Sequence, residues 1–360
     1  MRVSREEALQ SLQSLISNDV EQDKYNDCMS IVRYALSHIE ENIDAKINNM
    51  IQKIPRINQL SNRTYYVGKL SKFPKGCISC LCGDGLNSIR KTNKCNLNCK
   101  FCYYYGHNEE QPEIPDGMWQ IGGKNFAEKD IEKLIRIQGR PTGVCYAYLE
   151  PFLEIEKYYN VINIFNQNKI YQHLYTNGVR VTENALRRLG NAGLNELRFN
   201  LGATNCDPAI IEKIYLAKKY IPSVGIETPM TPDFFNAFLR NKKYILATGL
   251  DFINCAELHL NPNNIDNYSG EKLYMCRNGY ISPVWSRQIT MEMMKTASNE
   301  EWDFVVHDCS NMTKYCRELN YGKRMKLWFG ANYYDSEFDN IPYKAFLPIL
   351  SDDEYWTSVN

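Results

Sequence analysis

The sequence predicts an α/β fold: an incomplete (β/α)6 barrel with an N-terminal helical extension and a C-terminal cap. Three observations carry this. Between Leu86 and Leu260, six short apolar segments alternate with amphipathic helical ones. A long apolar stripe at helical spacing precedes them. The 360 residues, 44% apolar, suffice for one barrel-sized core with additions at both ends. Repeated strand–helix–strand order implies parallel strands joined by right-handed crossovers, with chemistry at their C-terminal ends.

In chain order, residues 1–60 read as the helical extension. "SREE", Ser4 to Glu7, has the spacing of a capping box and starts a first helix. From Cys28 onward, Val32, Leu36, Ile39, Ile43, Ile47 and Met50 recur every three or four residues, one face of a long second helix. Residues 61–302 read as the core. Its expected strands are Leu86 to Thr92, Val144 to Leu149, His173 to Tyr175, Glu196 to Leu201, Val224 to Thr228 and Phe252 to Leu260. "FAEKDIEKLIRIQ", "EIEKYYNVINIFNQ" and "TENALRRLGNAG" supply helices between them. Residues 303–360 read as the cap.

Charge and composition narrow the function. Lys and Arg balance Asp and Glu at 42 each, so no global field draws the chain to nucleic acid or to an anionic membrane. "KLSKFPK" and "YGKRMK" read as solvated surface. "MRVSREEALQ" is polar, and no run reaches the roughly 18 apolar residues of a membrane span, so a cytoplasmic protein without a membrane partner is expected. In that reducing compartment, 13 cysteines point to metal binding or redox chemistry rather than to disulfides.

"TNKCNLNCKFCYYYG" gathers Cys95, Cys99 and Cys102 directly after the first expected strand, where this architecture places reactive groups. Thiolates suit iron–sulfur clusters and zinc. Three of them on a four-iron cluster leave one iron uncovered, a position open to a small molecule, much as a catalytic zinc site keeps one ligand position free. A zinc knuckle completed from elsewhere is the competing reading, although its cysteines usually come in CxxC pairs.

"CNLNCKFC", with Phe101 in its aromatic position, resembles the CxxxCx(aromatic)C signature of the radical S-adenosylmethionine (radical SAM) enzymes. The resemblance spans roughly residues 85 to 262. It implies that Cys95, Cys99 and Cys102 bind a 4Fe-4S cluster and that S-adenosylmethionine chelates the open iron. One electron then splits it into methionine and a 5′-deoxyadenosyl radical, which abstracts hydrogen from the substrate. "YLEP", Tyr148 to Pro151, is similar to the family's GGEP, with Glu150 kept and both glycines absent. "LYTNG" with Asn177, "GLNELRFNL" with Asn200, and "SVGIETP" with Glu227 and Thr228 resemble its later strands. The implied cofactor contacts are therefore Phe101, Tyr148, Glu150, Asn177, Asn200, Glu227 and Thr228. The electron donor implied is a reductase of flavodoxin or ferredoxin type.

A second cysteine group lies outside the signature. "GCISCLCG" holds Cys77, Cys80 and Cys82; "VHDCSNMTKYC" holds His307, Cys309 and Cys316. A parallel barrel brings such segments together, so Cys77, Cys80 and Cys309 are candidate ligands of a second iron–sulfur cluster or a zinc ion. Buried free thiols are the alternative.

Along "FINCAELHL", strand alternation puts Cys255, Glu257 and His259 on one face and Asn254 and Ala256 on the other. If the first face looks inward, these three are candidate catalytic groups: Glu257 or His259 to orient a substrate or move a proton, and Cys255 to return a hydrogen atom. Asp308, Ser310 and Asn311 are polar enough to line a pocket, and Arg287 is a candidate clamp for an anionic group. The neutral charge favours a small polar metabolite or a peptide residue as substrate over nucleic acid. A non-catalytic iron–sulfur or zinc-binding protein, or an RNA-modifying enzyme, are the alternatives.

Overall fold

The structure, a computed structural model, describes the chain apart from residues 1–2, 18–19, 62–63, 87–88, 104–112, 122–123, 148, 277–278, 312, 314–340 and 357–360. It opens with helices α1 (Arg5–Ser17) and α2 (Gln22–Ile51). The capping box closes as its spacing requires: the Glu7 N–H donates to Ser4 Oγ at 3.1 Å, and the Ser4 N–H donates to the Glu7 carboxylate at 3.4 Å. Val32, Leu36, Ile39, Ile43 and Ile47 of α2 are buried in the main core.

Strands β1 (Asn58–Ser61) and β2 (Thr64–Val67), helix α3 (Lys75–Leu81), the hairpin β3 (Met118–Ile121) and β4 (Lys124–Ala127), and helix α4 (Ile131–Gln138) follow. The repeating part then runs β5 (Gly143–Tyr146), α5 (Tyr159–Gln167), β6 (Tyr171–Thr176), α6 (Glu183–Ala192), β7 (Glu196–Phe199), α7 (Pro208–Ala217), β8 (Ser223–Pro229), α8 (Pro232–Ala247) and β9 (Phe252–Ala256). After it come β10 (Leu273–Met275), β11 (Ile281–Pro283), α9 (Val284–Asn299) and β12 (Val305–Cys309). Local chemistry sets the helix ends. Thr182 caps α6 by accepting the Ala185 N–H, and Gly193 ends it at φ +97°, a left-handed conformation that glycine adopts without a Cβ clash.

The main sheet has the order β1-β2-β12-β9-β8-β7-β6-β5. From β12 to β5 all neighbours are parallel, while β1 and β2 pair antiparallel at the far edge. This mixed α/β sheet is open, and the described residues form no closed barrel. The expected first strand contracts to single bridges: Leu86 pairs in parallel with Val144, and Arg90 pairs with Gln120 of the hairpin. In the other direction, β12 extends the parallel sheet beyond residue 302, into the segment read as the cap. The C-terminal stretch folds back on the N-terminal helices, with the Tyr25 and Tyr343 hydroxyls 2.6 Å apart and the Asn42 amide donating to the Tyr355 carbonyl at 2.8 Å.

Register separates two unlike faces. Val144, Leu174, Leu197, Phe199, Ile226, Ile253 and Val306 share one face and join the main apolar core with α5 to α9. Cys145, His173, Tyr175, Glu196, Arg198, Glu227, Asn254 and His307 share the other, which α3 covers. No helix among the described residues is long and apolar enough to cross a membrane.

Candidate functional site

The cysteine loop stands beyond the C-terminal ends of the parallel strands. Cys95 is exposed, and Cys99 and Cys102 are half-buried. The Cys102 N–H donates to the Cys99 carbonyl at 2.9 Å, a tight turn that keeps the two thiols near each other. Burial first, then the neighbouring Cys102 and Cys95 thiols, push the Cys99 thiol up to about 12. Cys95 is raised too, because its thiol is partly shielded from water although the residue as a whole is exposed. Such mutual opposition to ionisation marks thiols that share one small region and that a cation would convert to thiolates.

Two sets of amides hold this loop. From the end of β6, the Asn177 side chain donates to Asn96 Oδ1 at 2.9 Å and reaches Cys95 Sγ at 4.0 Å. From the opposite side comes an asparagine-rich turn that sequence reasoning passed over. Asn261 and Asn263 donate to the Tyr103 carbonyl at 3.0 and 3.2 Å, Asn264 to the Phe101 carbonyl at 3.2 Å, and Asn267 to the Lys100 carbonyl at 2.8 Å. The run "NPNNIDN" was the available signal, since asparagine side chains readily satisfy main-chain carbonyls in turns. Phe101 itself is half-buried against the main core.

Glu150, fully buried, accepts the Asn177 N–H at 2.7 Å, the Thr176 hydroxyl at 2.8 Å and the Phe152 N–H at 3.1 Å. Burial lifts its carboxyl to about 7 even though all three donors favour the charged form. Leu149, just before it, has φ +59°, the left-handed region that leucine enters only under strain. That is the position where the family signature carries glycine. Tyr148 lies outside the described residues.

Asn200 Oδ1 accepts the Ala203 N–H at 3.2 Å and the Thr228 hydroxyl at 2.7 Å. Thr228 is therefore on the helix-packed face, while its neighbour Glu227 is on the polar one. Burial works against ionisation of Glu227, but the Arg198 guanidinium, Asn254 and Tyr175 outweigh it and hold the carboxylate below its ordinary range. Arg198 also pairs with Glu196, donating from Nε at 2.6 Å, and with the Tyr175 hydroxyl at 2.9 Å.

The three residues read as catalytic part company. Strand β9 ends at Ala256, so alternation does not reach Glu257 or His259. Cys255 is in register with Thr228 and Asp308 on the helix-packed face, not the inward one; Asn254 takes the polar face with Glu227 and His307. Glu257 is buried, accepting the Tyr274 hydroxyl and, at 2.6 Å, the Asn311 N–H. His259 alone approaches the cysteine loop, stacked on Tyr280 at 4.0 Å with the Tyr103 ring at 5.2 Å. Arg287 pairs with buried Asp308 at 3.1 Å, inside the protein.

The second cysteine group converges in part. Cys77 of α3 meets His307 of β12 at 3.2 Å, and Cys309 is near enough to act on the Cys77 thiol electrostatically. Cys80 is only half-buried, and Cys316 lies outside the described residues. Among the described residues no group of three or more His, Cys, Asp or Glu side chains stands where it could hold a metal ion.

Residues 89–218 match the Radical SAM superfamily. A Methanocaldococcus jannaschii protein provisionally named a glycyl-radical enzyme activating enzyme is 27% identical over 263 residues, 69% of this chain and 66% of that protein. The tungsten-containing aldehyde ferredoxin oxidoreductase cofactor-modifying protein of Pyrococcus furiosus is 23% identical over 302 residues, 73% of this chain and 80% of that one. The chain thus spans just under two thirds of the first relative's length. Among solved structures, Streptococcus suis SuiB bound to precursor peptide SuiA matches with a TM-score of 0.45 and 12% identity, over 75% of this chain and 66% of that one.

Proposed function

We propose, from the match of residues 89–218 to the Radical SAM superfamily, that the chain is a radical SAM enzyme in which Cys95, Cys99 and Cys102 hold a 4Fe-4S cluster. The observation that carries this is the placement of three thiols in one amide-braced loop at the C-terminal ends of parallel strands. The donor set suits a cluster better than a zinc ion. A single ion needs its ligands to converge on one point, whereas a cluster takes its thiolates on separate irons. When bound, the cluster supplies the electron that splits S-adenosylmethionine into methionine and a 5′-deoxyadenosyl radical, which takes a hydrogen atom from the substrate.

The chain's own residues bind and orient. Asn177 sets an N–H donor toward Cys95 Sγ. The polar face, with Glu227 held ionised and Asn254 beside it, suits a polar substrate group, and α3 keeps bulk water from that face. His259, rather than Cys255, is the candidate acid or base beside the loop. A small polar metabolite or a peptide residue is the substrate class; the names of the relatives, an activating enzyme and a cofactor-modifying protein, are consistent with either. Electrons would come from a flavodoxin- or ferredoxin-type carrier.

The test is anaerobic reconstitution with iron and sulfide, reduction, and addition of S-adenosylmethionine. Release of 5′-deoxyadenosine is expected, and Cys99→Ala should abolish both iron uptake and release. A protein that holds the cluster but never cleaves the cofactor would instead be a non-catalytic iron–sulfur module.

A further inference from the structure

We propose that Glu150 is a positioning residue, fixing the strand end that steers Cys95, and that it does not itself contact S-adenosylmethionine. This rests on reading Cys95, Cys99 and Cys102 as cluster ligands. The hydrogen bonds form a closed circuit. The Glu150 N–H donates to the Lys94 carbonyl at 3.0 Å, one residue before Cys95. Its carboxylate takes the Asn177 N–H and the Thr176 hydroxyl at the end of β6. The Asn177 side chain returns to Asn96 and to Cys95 Sγ. Every link is between segments distant in sequence, so the circuit does what chain connectivity cannot: it ties residues 94–96 to the end of β6.

The carboxylate has little left to offer a ligand. Glu150 is 0% exposed and three donors occupy its two oxygens. The Thr176 hydroxyl is engaged in turn, accepting the Gly178 N–H at 2.9 Å, while Asn177 Oδ1 accepts the Val179 N–H at 2.9 Å. Asn177 is thus gripped at its N–H and its side-chain oxygen, leaving its amide nitrogen aimed at the cysteine loop. Hydrogen bonds to ligating sulfurs are a principal control on cluster potential. Glu150 would act on the cluster through Asn177, without touching it.

The test compares Glu150→Gln with the unaltered chain. Glutamine puts an NH2 group where one acceptor oxygen stood, so one donor in the circuit loses its partner. In the metal-free protein, the Asn177 amide and the amides of residues 95–97 should exchange with deuterium at least tenfold faster. In the reconstituted protein the reduction midpoint should shift, while S-adenosylmethionine affinity by equilibrium dialysis changes less than threefold. The opposite pattern, unaltered exchange with tenfold weaker cofactor binding, would make Glu150 a cofactor ligand and overturn the proposal. If Glu150→Gln does not fold, Asn177→Ala serves. It removes only the side-chain links and should shift the midpoint while the main-chain amide at position 177 stays protected; an unmoved midpoint would equally overturn the idea. Exchange on metal-free protein needs no turnover. Absence of 5′-deoxyadenosine would therefore defeat the enzyme reading and leave the circuit standing.

Discussion

His307 Nε2 lies 3.2 Å from Cys77 Sγ, and both side chains are sealed from water on the polar face of the sheet. Burial, with the Arg198 guanidinium pulling the other way, keeps the Cys77 thiol well above its ordinary value; burial lowers His307 to about 4. The pair is therefore a neutral thiol in hydrogen-bond contact with a neutral imidazole. A histidine whose folded value is depressed contributes stability that is present above its unfolded value of 6.5 and is lost as pH falls through about 4. Over that window the loss should approach about 3 kcal/mol. Urea unfolding of the metal-free protein at pH 7.5 and pH 4.5 should show it, and His307→Gln should lose distinctly less.

Leu149 predicts a difference between two small residues. At φ +59° any residue with a Cβ is strained, whereas glycine is not. Leu149→Gly and Leu149→Ala remove nearly the same half-buried side chain, yet the glycine variant should be the more stable by about 1 kcal/mol. Equal unfolding midpoints would show that the turn relaxes away from the left-handed conformation.

The asparagine turn predicts a graded pair. Asn264 is fully buried; besides the Phe101 carbonyl its amide reaches the His259 carbonyl at 3.2 Å, and its oxygen accepts the Asn261 N–H at 2.8 Å. Asn264→Ala orphans buried groups and should cost about 2 kcal/mol or more. Asn267 is exposed and its side chain bonds the Lys100 carbonyl beside water, so Asn267→Ala should stay within about 1 kcal/mol. Differential unfolding of the two variants checks the order, and its reversal would mean that the turn does not brace the loop.

The pattern of the α/β repeat was legible because it is local: capping residues, helical stripes and apolar strands declare themselves over a few positions. Ser4 and Glu7 did so as a cap, the stretch from Thr182 to Gly193 did so as a helix, and so did the cysteine loop. What alternation alone could not decide was which face of β9 is which. It separates Asn254 from Cys255 without saying that the polar set faces α3, because that depends on the register with Glu227 and His307. The usual expectation that apolar residues face inward fails here, since both faces are buried, one against helices and one as a polar layer. The contacts of Asn261 to Asn267 with the cysteine loop span about 160 positions, and no local pattern announces them. Glu150 was legible as a residue of interest but not as one whose oxygens are already occupied, since Thr176 and Asn177 become its partners only through the β5–β6 pairing.

Gly76 gives the sharpest test of that polar layer. Gly76 lies in the first turn of α3, where alanine would ordinarily be favoured over glycine by at most about 1 kcal/mol, because glycine loses more backbone freedom on folding. Here a Cβ would stand 2.6 Å from Arg198 Nη2, 2.8 Å from Glu196 Oε1 and 2.8 Å from His173 Nδ1, atoms of side chains that are themselves buried. None of the three can swing into solvent, and moving Arg198 would separate it from Glu196 and Glu227, leaving carboxylates buried without their counter-charge. Steric and electrostatic penalties therefore outweigh the helical gain, and Gly76→Ala should destabilise by about 1 to 3 kcal/mol. The measurement is equilibrium unfolding of the metal-free variant. A stabilised Gly76→Ala would mean that α3 is not seated on Arg198, Glu196 and His173, and the assignment of the polar face as the covered interior would fall with it.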